Sequence, residues 1–276
     1  MIKNKALSYF FILFTLSIWG IGNVNARDNL VLGVFPYMTA SQLMQLQMPL
    51  KLCLEEHLGK TVSMVTAPDF QTFVQRTQAN EYDFILTAPH LGWLAESRDH
   101  YQFIVATDHS VQGVFLARAD SGIRSLDDLE GRTVAMAAPV SLLFQMGLEE
   151  LRQHGYSDNK NISIKVARTH NNAMYAPVRR EADVSITGSL IWEKFGDQFK
   201  DEMRVIGRTP KLSGLTMLAN GSVSTKENQL VEKALLAFAE SSEGENYFKK
   251  TGFGKFMKVD KEKRSSMERF VGFAKK

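Results

Sequence analysis

From residue 29 the chain alternates between short apolar runs and longer stretches whose apolar positions recur every three or four residues. "NLVLGVFPY" (29–37) is rich in aliphatic and β-branched residues and stops at Pro36, the mark of a buried strand. Between Ser41 and Leu58, residues Leu43, Met44, Leu46, Leu50, Cys53, Leu54 and Leu58 keep helical spacing. Pro49 predicts a kink or division of that helix, and Gly59 stands where a helix end takes glycine. "TVSMVTA" (61–67) predicts a second strand, "DFQTFVQRTQANE" (69–81) a helix that Asp69 can cap, and "YDFILTA" a third strand. This β-α-β-α-β order predicts a parallel sheet covered by helices.

The second half repeats the pattern. A β-rich stretch over 101–122 is broken by the polar Thr107-Asp108-His109-Ser110. A short helix then leads to a strand at Thr133–Ala137 and a helix from about 140 to 154, followed by Gly155. Strands are expected over 162–169 and 183–189, helices over 171–182 and 191–199, and a closing group of helices begins at Thr225–Ala239. Two extended connectors, near 107–113 and 207–215, flank this second set. They predict a chain that leaves a first lobe, builds a second and returns. The expected lobes are 27–110 with 213–276, and 111–212, each a mainly parallel sheet flanked by helices. The joint is a two-strand hinge with a cleft beside it.

The first 26 residues belong to neither lobe. Lys3 and Lys5 precede an apolar run over 6–21 that ends in Val24-Asn25-Ala26, the layout of a cleavable signal peptide. An uncleaved anchor is the alternative, but the run falls short of the ~20 residues that span a bilayer. Export across the inner membrane to the periplasm follows. Loss of both lysines takes the net charge from +3 to +1, which gives no basis for binding nucleic acid or an anionic membrane surface. Cys53 is the one cysteine, so no internal disulfide forms, and on its helix it is expected to be a buried, inert thiol. The histidines lack paired metal-ligand spacing, and neither a G-x-S-x-G elbow nor a phosphate-binding P-loop is present. Neither an enzyme nor a cofactor or metal site is indicated.

Candidate chemistry gathers at expected strand ends, the places where ligands bind in open α/β sheets. Tyr37 follows the first strand. Thr87-Ala88-Pro89-His90 follows the third, with Thr87 and His90 either meeting a ligand or serving as helix cap and surface residue. Ser141 opens a second-lobe helix, His170 and Asn171 follow the strand over 162–169, and Thr187 precedes Gly188-Ser189 at the end of another. Neutral donors outnumber charges, which favours a small oxyanion or polar solute over a sugar or a metal.

In order and spacing, these segments resemble the type II periplasmic substrate-binding proteins of ABC importers, and within them the phosphate/phosphite/phosphonate-binding group. "LGVFPYMTASQL" is similar to that group's opening strand, "YDFILTAPHLGWLA" to its aspartate-led strand ending at proline, and "READVSITGS" to its second such strand. "LGKTVSMVTAPDFQTFVQ" and "SLDDLEGRTVAM" resemble further shared segments. The resemblance spans the mature chain and implies a monomeric receptor that delivers a small anionic or polar ligand to an ABC permease. Where phosphonate binders of the group carry a serine/threonine run closed by glycine, this chain reads "AAPVSLLFQMG", with Ser141 its one hydroxyl. That departure carries the fold further than it carries phosphonate as ligand. It also keeps open a periplasmic sensor acting with a membrane receptor such as a histidine kinase.

Overall fold

The computed structural model describes residues 28–195, 197 and 201–275. The expected signal peptide and the end of the helix expected over 191–199 lie outside them.

In the first half, β1 (Asn29–Val34), α1 (Ala40–Leu58), β2 (Thr61–Val65), α2 (Phe70–Gln78), β3 (Phe84–Thr87), α3 (Pro89–Arg98) and β4 (Tyr101–Thr107) follow one another. The chain then crosses to β5 (Gly113–Arg118), β6 (Thr133–Met136), α4 (Leu142–Gln153), β7 (Ser163–Val166), α5 (His170–Tyr175), β8 (Val184–Gly188), α6 (Ser189–Phe195) and β9 (Met203–Arg208). It returns through β10 (Thr216–Asn220), α7 (Thr225–Ala239), α8 (Ser242–Thr251), β11 (Phe256–Met257) and α9 (Lys261–Ser265), and ends in two 3-10 turns, Ser266–Phe270 and Gly272–Lys275.

Two mixed sheets result, ordered β11-β4-β10-β3-β1-β2 and β7-β6-β8-β5-β9. In the first, β1 to β4 share one direction while β10 and β11 oppose them. In the second, only β5 runs against the rest. Each sheet also repeats one device. Asp83, just before β3, accepts from the Val31 amide of neighbouring β1 at 2.8 Å, and Asp183, just before β8, accepts from the Thr133 amide of β6 at 2.8 Å. The two aspartate-led segments of the sequence are therefore equivalent parts of two similar lobes.

Strand alternation fills the layers. On β5, Phe115 and Ala117 join one core cluster and Val114 and Leu116 the other, on opposite faces. The first lobe packs around Leu32, Val34, Leu50, Phe73, Phe84 and Leu218. Cys53 lies in that core, where burial pushes its thiol up to about 11, aided by Glu56 and Glu243. Between the lobes, Val111 and Leu212 exchange backbone hydrogen bonds of 2.8 and 2.9 Å, so the two connectors form a paired hinge.

Two expected helices differ. α1 runs unbroken through Pro49, because the carbonyl that loses its partner belongs to exposed Gln45 and can turn to water. α5 ends at Tyr175 rather than near 182, since Pro177 has no amide to donate to the turn before it and Arg180 takes a φ of 58°.

Candidate functional site

The carboxyl ends of β1 and β3 in one lobe and of β6, β7 and β8 in the other carry the residues singled out above. α3 starts at Pro89 with Ala88 as its N-cap, and no side chain caps its first amides. Thr87 is therefore not the cap. It ends β3 fully buried, and its Oγ1 has no hydrogen-bond partner within the protein.

His90 lies in the first turn of α3, and its side chain reaches the other lobe. Its Nε2 is 2.9 Å from the carbonyl oxygen of Val140, while its Nδ1 is buried without a partner. The ring of Phe273 meets it edge-on at 6.0 Å. The residue is 0 % exposed, and burial pushes its pKa down to about 4, with the Val140 carbonyl opposing that shift.

Ser141 follows Val140 and caps α4, accepting from the Phe144 amide at 3.2 Å. Beyond it the first turn of α4 is apolar. Leu142 and Leu143 pack with Met146 against Met267 and Phe270 of the C-terminal segment. This segment is anchored on the first lobe: Arg264 holds Glu96 of α3 at 2.7 and 2.8 Å, and Trp93 Nε1 donates to Glu268 at 2.6 Å.

α5 is capped by Thr169, which accepts from the Asn172 amide at 3.1 Å, and Asn171 is exposed. His170 Nδ1 is buried and unpartnered, and burial draws its pKa to about 4 as well. Thr187 is fully buried in β8 with an unpartnered Oγ1. Tyr37 is engaged inside its own lobe. Its hydroxyl accepts from Gln47 Nε2 at 3.1 Å, Gln47 Oε1 accepts from Tyr247 at 2.7 Å, and the ring stacks on Phe35 at 4.8 Å. Burial raises the pKa of that phenol.

Eight buried side-chain polar atoms lack a hydrogen-bond partner among the described residues, and Thr87, His90, His170 and Thr187 supply four of them. A buried polar atom left unpaired costs about 1–3 kcal/mol, so each of these four is a candidate for a partner outside the chain. Their chemistry is neutral: two hydroxyls and two uncharged imidazoles. Sequence reasoning missed the Val140 carbonyl and the C-terminal contribution of Met267, Phe270 and Phe273. The apolar "LLF" after Ser141 was the one available sign of the latter.

Two α/β lobes on paired hinge strands, with neutral hydrogen-bonding atoms at their strand ends, define a bilobal solute receptor. A family model described as the periplasmic phosphonate substrate-binding protein of ABC transporters matches residues 32–263, and the chain belongs to that family of substrate-binding transport proteins, which are not enzymes.

Solved structures agree on the fold. XAC2383 from Xanthomonas citri, bound to ATP, is 19% identical over 90% of this chain and 98% of its own, with a TM-score of 0.77. PhnD1 from Prochlorococcus marinus, in complex with methylphosphonate, is 14% identical over 90% and 98%, with a TM-score of 0.78. The periplasmic aliphatic sulphonate binding protein SsuA from Escherichia coli is 17% identical over 90% and 92%, with a TM-score of 0.67. The architecture is that of type II periplasmic binding proteins.

Proposed function

We propose that this protein captures a small oxyanion of the phosphate or phosphonate type between its lobes and delivers it to an ABC permease. Residues 1–26 are removed on export, the mature chain acts as a monomer, and the lobes divide at 110/111 and 212/213. Thr87 and His90 contact the ligand from the first lobe, and His170 and Thr187 from the second, where the start of α4 at Ser141 also faces the site. Tyr37 and Asn171 border the site without offering an unpaired buried atom.

The observation that carries this reading is the set of four buried side-chain atoms without a partner among the described residues, taken together with the cross-lobe contact of His90 with Val140. The methylphosphonate complex of PhnD1 supports the ligand class by analogy of fold. Rotatable hydroxyls and the uncapped amides of α3 suit a compact anion, because fixed dipoles satisfy its oxygens without a counter-charge.

A thermal-shift panel on the mature protein tests the proposal, with phosphate, phosphite, methylphosphonate and small carboxylates compared against buffer. We expect a concentration-dependent rise in Tm with at least one phosphorus oxyanion. No rise with any of them would refute the proposal.

A further inference from the structure

The role of His90 Nδ1 follows from its partner on the other side of the ring. The Val140 carbonyl can only accept, so the 2.9 Å contact requires the hydrogen on Nε2. The imidazole is wholly buried with no acidic group bonded to it, which keeps it neutral. A neutral ring carries one hydrogen. With that hydrogen on Nε2, Nδ1 is a bare lone pair.

Three charged pairs or bonds on α3 and the elements around it hold their groups away from the ring, while Lys261, Glu262, Lys263 and Arg269 also lie on those elements. Glu96 pairs with Arg264, Arg98 with Asp99, and Glu268 accepts from Trp93. Because Nε2 reaches across to the second lobe, the ring itself stands in the joint, and its unpartnered Nδ1 stands there too. The two threonine hydroxyls can turn to donate or accept, and no partner among the described residues fixes the tautomer of His170. Of the four unpaired atoms, His90 Nδ1 alone has a defined role, and that role is acceptor.

We propose that His90 is the specificity-determining residue of this site: its Nδ1 accepts a hydrogen from the ligand, so the receptor selects oxyanions that retain a P–OH over fully ionised tetrahedral anions. This rests on the oxyanion reading above. A sulfate or sulfonate would set an oxygen lone pair against the nitrogen lone pair in a buried site, and neither could turn away to water. Sites built around one buried hydrogen bond reject analogues lacking it far more strongly than apolar pockets reject size differences.

Calorimetric titration tests this at about pH 5.5, below the second ionisation of a phosphate group near 6, so that phosphate and methylphosphonate carry a hydrogen. Sulfate and methanesulfonate, of similar shape, carry none. The expected result is that the hydrogen-bearing anion binds at least about 100-fold more tightly than its ionised counterpart. In His90→Gln, whose amide can turn its NH2 to the ligand, that ratio should collapse because sulfate gains affinity. A purely structural role would weaken both anions alike. If His90→Gln does not fold, long-range ¹H–¹⁵N spectra of the unaltered protein read the tautomer directly. A hydrogen on Nε2 is expected, and one on Nδ1 would overturn the inference. Sulfate binding as tightly as methylphosphonate would overturn it while leaving the oxyanion reading intact, whereas binding of no oxyanion would remove both.

Discussion

His90 couples the site to stability. Its pKa is about 4 in the folded chain against 6.5 when solvated, so between those values the unfolded chain holds more protons than the folded one. The neutral-state contribution is therefore complete above pH 6.5 and is lost as pH falls toward 4. Its full size is about 3 kcal/mol. His170 shifts the same way through burial and adds a loss over the same window. Urea unfolding of the unaltered protein and of His90→Phe across this window should show a shallower loss toward acid pH in the variant. Identical pH slopes would mean that His90 does not carry the effect.

At the scale of elements, helix starts decide which chemistry is free. α4 spends the Ser141 hydroxyl on its own first turn, whereas α3 leaves its first amides without a side-chain cap. Ser141→Ala should cost about 1 kcal/mol in urea unfolding through the lost cap on the Phe144 amide. A neutral result would show that the cap contributes nothing. The same contrast explains what could be read beforehand. Apolar periodicity marked β1, β3 and α7 plainly, and Pro89 marked the turn from strand to helix that sets Thr87 and His90 at the joint. The Val140 carbonyl left no sign, because every residue has one and only tertiary folding selects which one His90 meets. α5 was overextended because its apolar spacing continues past Tyr175, while Pro177 ends the helix locally. The C-terminal 3-10 turns are too short to produce a periodic signal, yet they bring Phe270 to the apolar start of α4.

At the scale of the whole molecule, the chain crosses between lobes twice, and its C-terminal segment bridges them a third time. The hinge pair Val111 and Leu212 sits beside Gly214, where an added methyl would collide with Thr107 Oγ1 and the His109 carbonyl, so the return strand passes tightly against the outgoing one. Such a joint lets the lobes rotate without sliding, and a ligand that bonds to both lobes favours the closed arrangement. In the function proposed above, the unpaired atoms of the two lobes together stabilise this closure. Calorimetric titration of methylphosphonate into the unaltered protein and into a Thr87→Val, Thr187→Val double variant tests it most directly. The account predicts one site per chain with a Kd on the order of 1 μM, about 8 kcal/mol, weakened at least about 100-fold in the double variant while its fold is retained. Equal affinity in the two proteins would contradict it.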